Sequence, residues 1–204
     1  MKPKKVGGTS VQIALAEQCP STDILSNLIP FRSYADTDKY VYNKSYSVAP
    51  HAKPLVVKMI IGRDKWRDYF KIAIIRNPWD MAVSHYWYWG RRYGNSKNGN
   101  HELGFQAYLT ERGNEWGTDN LNFYFNRHNN PIMDCYLRFE HLEEDYRDLC
   151  EKLGLEYKKL PRTKDKFRSN KMHYSRYYNE ASKELVRSCY LHYIDHFKYS
   201  FEEV

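Results

Sequence analysis

Two short stretches of the chain hold residue types that can grip an anion. The first is Lys5-Val6-Gly7-Gly8-Thr9-Ser10. Glycines let backbone N–H groups come close to a negative group, and a helix starting there adds positive potential from its open amides. Thr9 and Ser10 can add hydroxyl bonds, and Lys5 adds a full charge. Order matters: a nucleoside-triphosphate loop reads GxxxxGK[ST], with lysine after the glycines, whereas here lysine precedes them. The stretch therefore reads as a phosphate-type cradle that is not a Walker motif, with a purely structural turn as its alternative. The second stretch pairs Arg76 with Ser84, eight residues on. Ligands of open α/β sheets bind beyond the carboxyl ends of strands, and Arg76 ends the run Lys71-Ile72-Ala73-Ile74-Ile75-Arg76. A guanidinium bonds two oxygens of one phosphate at once. A salt-bridged surface arginine is the competing reading.

The elements that must position these residues follow from pattern. Residues Ile72 to Ile75 are short, β-branched and continuous, which predicts a strand buried on both faces, as in a parallel sheet. Asn77-Pro78-Trp79-Asp80 then predicts a helix start, with Asn as cap, Pro in the first turn and Asp near the positive end. Val11 to Gln18 predicts a short helix, and His51 to Tyr69 a helix interrupted near Gly62. Gly90 to Asn100 reads as a loop and His101 to Arg112 as a helix. Residues Phe123 to Phe139 read as a hairpin or strand pair. Glu140 to Leu153 is amphipathic and ends at Gly154. Pro161 to His173 reads as a basic loop, and Asn179 to Phe197 as a last helix. Strands alternating with helices argue for an α/β layered protein, and 204 residues without internal repeats for a single domain, 1–204.

Composition bounds the function classes. Hydrophobic residues make up 42% and charged residues 28%, so a packed core is expected rather than disorder. The longest uninterrupted aliphatic run is Ile72 to Ile75, far short of the ~20 residues a membrane span needs. No apolar stretch follows Met1 to Lys5, so no signal peptide is expected. A net charge of +7 favours an anionic partner. Cys19, Cys135, Cys150 and Cys189 form no CxxC pair and read as buried free thiols in a reduced, cytoplasmic setting. With 19 Tyr, 9 Phe and 5 Trp, many aromatic rings are expected at the surface or in a cleft. His85-Tyr86-Trp87-Tyr88-Trp89 could face an acceptor sugar, although at least half of these rings are expected in the core.

Taken together, these motifs resemble the carbohydrate sulfotransferases that use 3′-phosphoadenosine 5′-phosphosulfate (PAPS), the branch related to heparan and chondroitin sulfotransferases. Four stretches carry the likeness in order: KVGGTSV, DYFKIAIIRNPWDMAVSHY, LRFEHLEEDYRDLCEKLGL and HYSRYYNEASKELVRSCYLHYIDHFKYSF. The resemblance implies a P-loop-like sandwich, a central and mostly parallel sheet flanked by helices. It implies that Lys5, Val6, Gly7, Gly8, Thr9 and Ser10 hold the 5′-phosphosulfate, and that Arg76 and Ser84 hold the 3′-phosphate. The turn and the strand end would form a two-pronged clamp on one donor. His51 is similar to a histidine that acts as catalytic base, with Glu140 or His141 as its substitute. Arg168 and Lys171 would close over the nucleotide.

The implied reaction moves a sulfuryl group to an acceptor hydroxyl, on a carbohydrate, with no metal required; no HExxH or clustered Cys/His set appears either. Two departures stand out. Only Met1 to Lys4 precede the turn where relatives carry a strand, and Lys2 lies where they carry a histidine. A nucleotide-binding phosphotransferase of similar fold remains an alternative, as does a basic nucleic-acid-binding module, although no nucleic-acid motif accompanies the charge.

Overall fold

The structure is a computed structural model that describes residues 1–20, 49, 51–93, 104–161 and 172–202. The chain packs as two compact units, each made of two stretches: Met1–Ile75 with Ile132–Thr163, and Arg76–Pro131 with Lys164–Val204.

In the first unit the chain forms α1 (Gly8–Ala16), α2 (Pro54–Ile61), α3 (Arg63–Asp68), β1 (Ile72–Ile75), β2 (Cys135–Arg138) and α6 (Leu142–Leu153). β1 and β2 pair in parallel, with Ile72 opposite Cys135 and Ile75 opposite Arg138. Ala73, Ile74 and Ile75 are buried, as expected of a strand covered on both faces. Their register is locked at the amino ends, where the Lys71 ammonium meets Asp134 at 2.8 Å and the Lys71 amide donates to the same carboxylate at 2.7 Å. Val6, Val11, Ile13 and Ala14 of the amino-terminal stretch join Leu137, Tyr146, Leu149 and Cys150 in this core. α6 starts with Glu143, Glu144 and Asp145 at its positive end and stops at Gly154 (φ 64°). Arg138 clasps Asp145 through its backbone amide and its guanidinium. The predicted interruption falls at Gly62, whose φ of 87° separates α2 from α3.

In the second unit the helices are α4 (Pro78–Tyr93), α5 (Phe105–Leu121) and α7 (Glu180–Phe197). Asn77 caps α4, its side-chain oxygen accepting from the Trp79 amide at 3.1 Å. Asn179 caps α7 in a capping box with Ser182. Rings fill the space between helices: Tyr108, Tyr124, Tyr190 and Tyr193 are fully buried, and Tyr86, Trp87 and Phe105 nearly so. Edge-to-face pairs recur among them, such as Tyr86 with Phe105 at 5.4 Å and Tyr193 with Phe197 at 4.8 Å.

Several sequence expectations change here. α4 continues to Tyr93, through residues read as the start of a loop, and α5 runs from Phe105 to Leu121 rather than ending at Arg112. The hairpin is not formed: Phe125 makes a single antiparallel bridge with Pro131, and β2 pairs with β1 instead. A long-range partner buries Leu137 on a parallel neighbour, which local turn chemistry does not foresee. Many of the rings expected at a surface are core residues. All four cysteines are free thiols; Cys150 is buried and the others are half-buried. The helices with a parallel strand pair make this an α/β protein, with two strands in the sheet among the described residues.

Candidate active site

The glycine turn sits at the carboxyl end of β2. Val6 is fully buried and pins the turn to the core. On either side of it Lys5 and Gly7 take left-handed backbone, with φ of 64° and 78°. A side chain at Gly7 would be strained and crowded: an added Cβ would lie 2.9 Å from Phe139 Cδ2 and 3.1 Å from Leu142 Cδ2. Phe139 follows β2 directly and Leu142 opens α6, so the segment leaving the strand forms the floor of the turn. Gly8 is held from the other side, where a Cβ would lie 2.4 Å from Lys2 Cγ. α1 begins at Gly8 with no capping side chain and no acidic residue in its first turn. The Ser10 amide donates back to the Gly7 carbonyl at 3.2 Å, and no carboxylate in the first turn offsets the helix's positive end. Thr9 is buried and Ser10 half-buried at that end.

Lys2 ties a second functional residue to this turn. His51 Nδ1 lies 2.8 Å from the Lys2 carbonyl oxygen. A carbonyl only accepts, so the ring donates from Nδ1–H, and in neutral imidazole Nε2 then carries the lone pair. The Lys2 ammonium is held by Gln12 of α1 at 2.5 Å. Lys2 thus links His51, Gly8 and α1. Glu140 and His141 are exposed in the 3-10 turn Phe139–His141, next to the floor of the glycine turn, and His141 faces Glu144 at 3.5 Å.

Arg76 and Ser84 belong to the second unit. Arg76 directly follows β1 and is clasped by Tyr193, whose hydroxyl accepts from the Arg76 amide at 2.9 Å and donates to its carbonyl at 3.0 Å. Its guanidinium meets Asp80 through Nε at 2.9 Å and Nη2 at 2.7 Å. Arg76 is 8% exposed, and Asp80 lies one helical turn before the half-buried Ser84. A phosphate at this pair would share the guanidinium with a carboxylate. Arg168 and Lys171 lie outside the described residues.

The structure therefore gathers Lys5 to Ser10 with His51 in one unit, and Arg76 with Ser84 in the other. Sequence reading passed over Lys2 as a link and Asp80 as the partner of Arg76. The i,i+4 spacing of Arg76 and Asp80 was the available signal for the second; nothing local announces the first. Among the described residues no group of His, Cys, Asp and Glu could hold a metal ion.

An uncharacterized protein of Archaeoglobus fulgidus is 32% identical to this chain over 104 residues, which are 49% of this chain and 80% of the archaeal one. The chain belongs to one family with that protein, whose description names no activity. No protein-family model matches the chain, and no solved structure significantly matches it.

Proposed function

We propose that this chain is a PAPS-dependent O-sulfotransferase acting on a carbohydrate hydroxyl, built on a P-loop-like sandwich. One observation carries the reading: a lysine and an uncapped helix start meet at a left-handed glycine turn, with a histidine of defined tautomer linked to it through Lys2. The donor set is amides, hydroxyls and an ammonium, which fits a phosphosulfate and offers nothing to a soft metal. PAPS supplies a sulfuryl group on a good leaving phosphate.

In the proposed reaction the acceptor oxygen bonds to sulfur as the bond from sulfur to the bridging phosphate oxygen breaks. Lys5 neutralises the charge left on that phosphate. The first amides of α1, with Thr9 and Ser10, hold the remaining oxygens. His51 Nε2 takes the acceptor proton. Positioning and electrostatics supply most of the rate, as in phosphoryl transfer. Arg76 and Ser84 are assigned to the 3′-phosphate, with Asp80 orienting the guanidinium and lowering its net charge.

Thermal shift tests this directly. A ligand at one hundred times its Kd adds about 2.7 kcal/mol, or ~5–11 °C of Tm for a chain of this size. 3′-Phosphoadenosine 5′-phosphate should give such a shift, ATP a smaller one, and Lys5→Ala should lose it. His51→Ala should keep the shift yet lower transfer from sulfate-labelled donor by ~10²–10⁴-fold. Equal shifts from both nucleotides would move the reading to a phosphotransferase. Normal turnover in His51→Ala would pass the role of base to Glu140 or His141.

A further inference from the structure

The first unit carries an apolar face that its core does not use. An α-helix turns 100° per residue, which places Leu55, Val56, Met59 and Ile60 on one side of α2. Their exposures are 68, 45, 76 and 40%. Val57 and Ile61, on the opposite side, are half-buried. Pro54 opens the helix and Gly62 closes it, so the stripe is presented on a defined backbone. Tyr69 and Phe70, just beyond α3, are also exposed. Single exposed aliphatic residues are ordinary, but a contiguous row with a charged rim marks an interaction surface.

The rim selects the partner. From Lys53 to Lys71 the sequence holds six basic residues against two acidic ones, Asp64 and Asp68. Both aspartates are engaged by Arg67, at 3.1 and 2.7 Å. Lys58, on α2 beside the stripe, and Arg63 and Lys65, just after it, carry the positive excess. A second copy of this chain would bring two positive rims together, which opposes self-association. Apolar side chains flanked by Lys and Arg, on a helix too short to span, match a helix lying in the plane of a bilayer surface. No helix among the described residues is long and apolar enough to cross a membrane.

We propose that α2 is an interfacial helix that seats the first unit on an anionic lipid surface. Leu55 and Met59 enter the acyl boundary, while Lys58, Arg63 and Lys65 lie at the headgroup phosphates with their stems along the apolar stripe.

Co-sedimentation of the full chain with vesicles tests this without any nucleotide, so its outcome is independent of the proposed activity. Vesicles of phosphatidylcholine with added phosphatidylserine should bring the chain down, and more so than phosphatidylcholine alone. Added salt should release it. A basic residue near an anionic surface contributes ~1 kcal/mol, about fivefold in partition, so Lys58→Ala and Arg63→Ala should each weaken binding about fivefold. Leu55→Ser combined with Met59→Ser should abolish it at unchanged circular dichroism and Tm. Leu191→Ser, at a site 48% exposed on α7, should leave it intact. Equal sedimentation with both vesicle types, or full binding by the double variant, overturns the proposal. So does a concentration-dependent dimer that the double variant abolishes in a chain that ignores vesicles.

Discussion

Replacing Gly7 by alanine separates two physical roles of one residue. Its φ of 78° is left-handed backbone, which costs a residue with a Cβ about 1 kcal/mol. The new methyl would also lie 2.9 and 3.0 Å from the Phe139 ring and 3.1 Å from Leu142, well inside the ~3.5–4.0 Å of ordinary carbon contact. The half-buried Phe139 ring must shift to admit the methyl, and overpacking of this kind adds ~1–3 kcal/mol. The sum is ~2–4 kcal/mol, or ~4–16 °C of Tm for a chain of this size. Gly154 is the control: its φ is 64°, but nothing lies within 4 Å of an added Cβ. Gly154→Ala should therefore show strain alone, about 1 kcal/mol. Thermal unfolding by circular dichroism measures both, and the difference isolates the contact with β2's carboxyl end. Should Gly7→Ala prove no less stable than Gly154→Ala, the described packing of the turn is wrong, and the proposed phosphosulfate cradle loses its floor.

Two further outcomes follow from the same contacts. Gly8 has no left-handed strain, and the three atoms nearest its added Cβ all belong to the flexible Lys2 side chain; Gly8→Ala should cost less stability than Gly7→Ala yet displace Lys2. The His51 Nδ1–H tautomer, read by long-range proton–nitrogen NMR, should then weaken, and an unchanged imidazole spectrum would disconnect His51 from the turn. At alkaline pH, burial holds the Tyr124, Tyr178 and Tyr190 hydroxyls well above the ordinary tyrosine range, and pushes Tyr174 up to about 12. The unfolded chain releases these protons first, so their contribution is complete below pH ~10 and is lost as pH rises toward 12 and beyond. Tyrosinate absorbance from these buried rings should appear in one step with loss of helix; gradual ionisation at constant helicity would contradict their burial.

Much of the local structure was legible because its causes are local. Asn77 and Asn179 cap helices through their own side chains, Gly62 and Gly154 take backbone that β-carbons resist, and Ile72 to Ile75 are too short and too apolar for anything but a buried strand. The Lys5–Ser10 turn was legible for the same reason, since paired glycines mark the start of α1, with Gly7 in left-handed backbone. The hairpin was misread because Cys135 to Arg138 is equally suited to a turn-linked neighbour or a distant one.

Residue types and spacing alone thus determined the caps of α4 and α7, the breaks at Gly62 and Gly154, and which strand is buried. Only tertiary structure decided that β1 pairs in parallel with β2, that Phe139 and Leu142 form the floor beneath Gly7, and that His51 is held by Lys2. It also decided that the Arg76 guanidinium meets Asp80 and that Tyr108, Tyr124, Tyr190 and Tyr193 face inward. The physical reason is range: caps, breakers and periodicity act over a few residues, whereas partners 49 or 117 positions apart, as in the His51–Lys2 and Arg76–Tyr193 bonds, are selected by the shape and polarity of surfaces that exist only once the chain has folded.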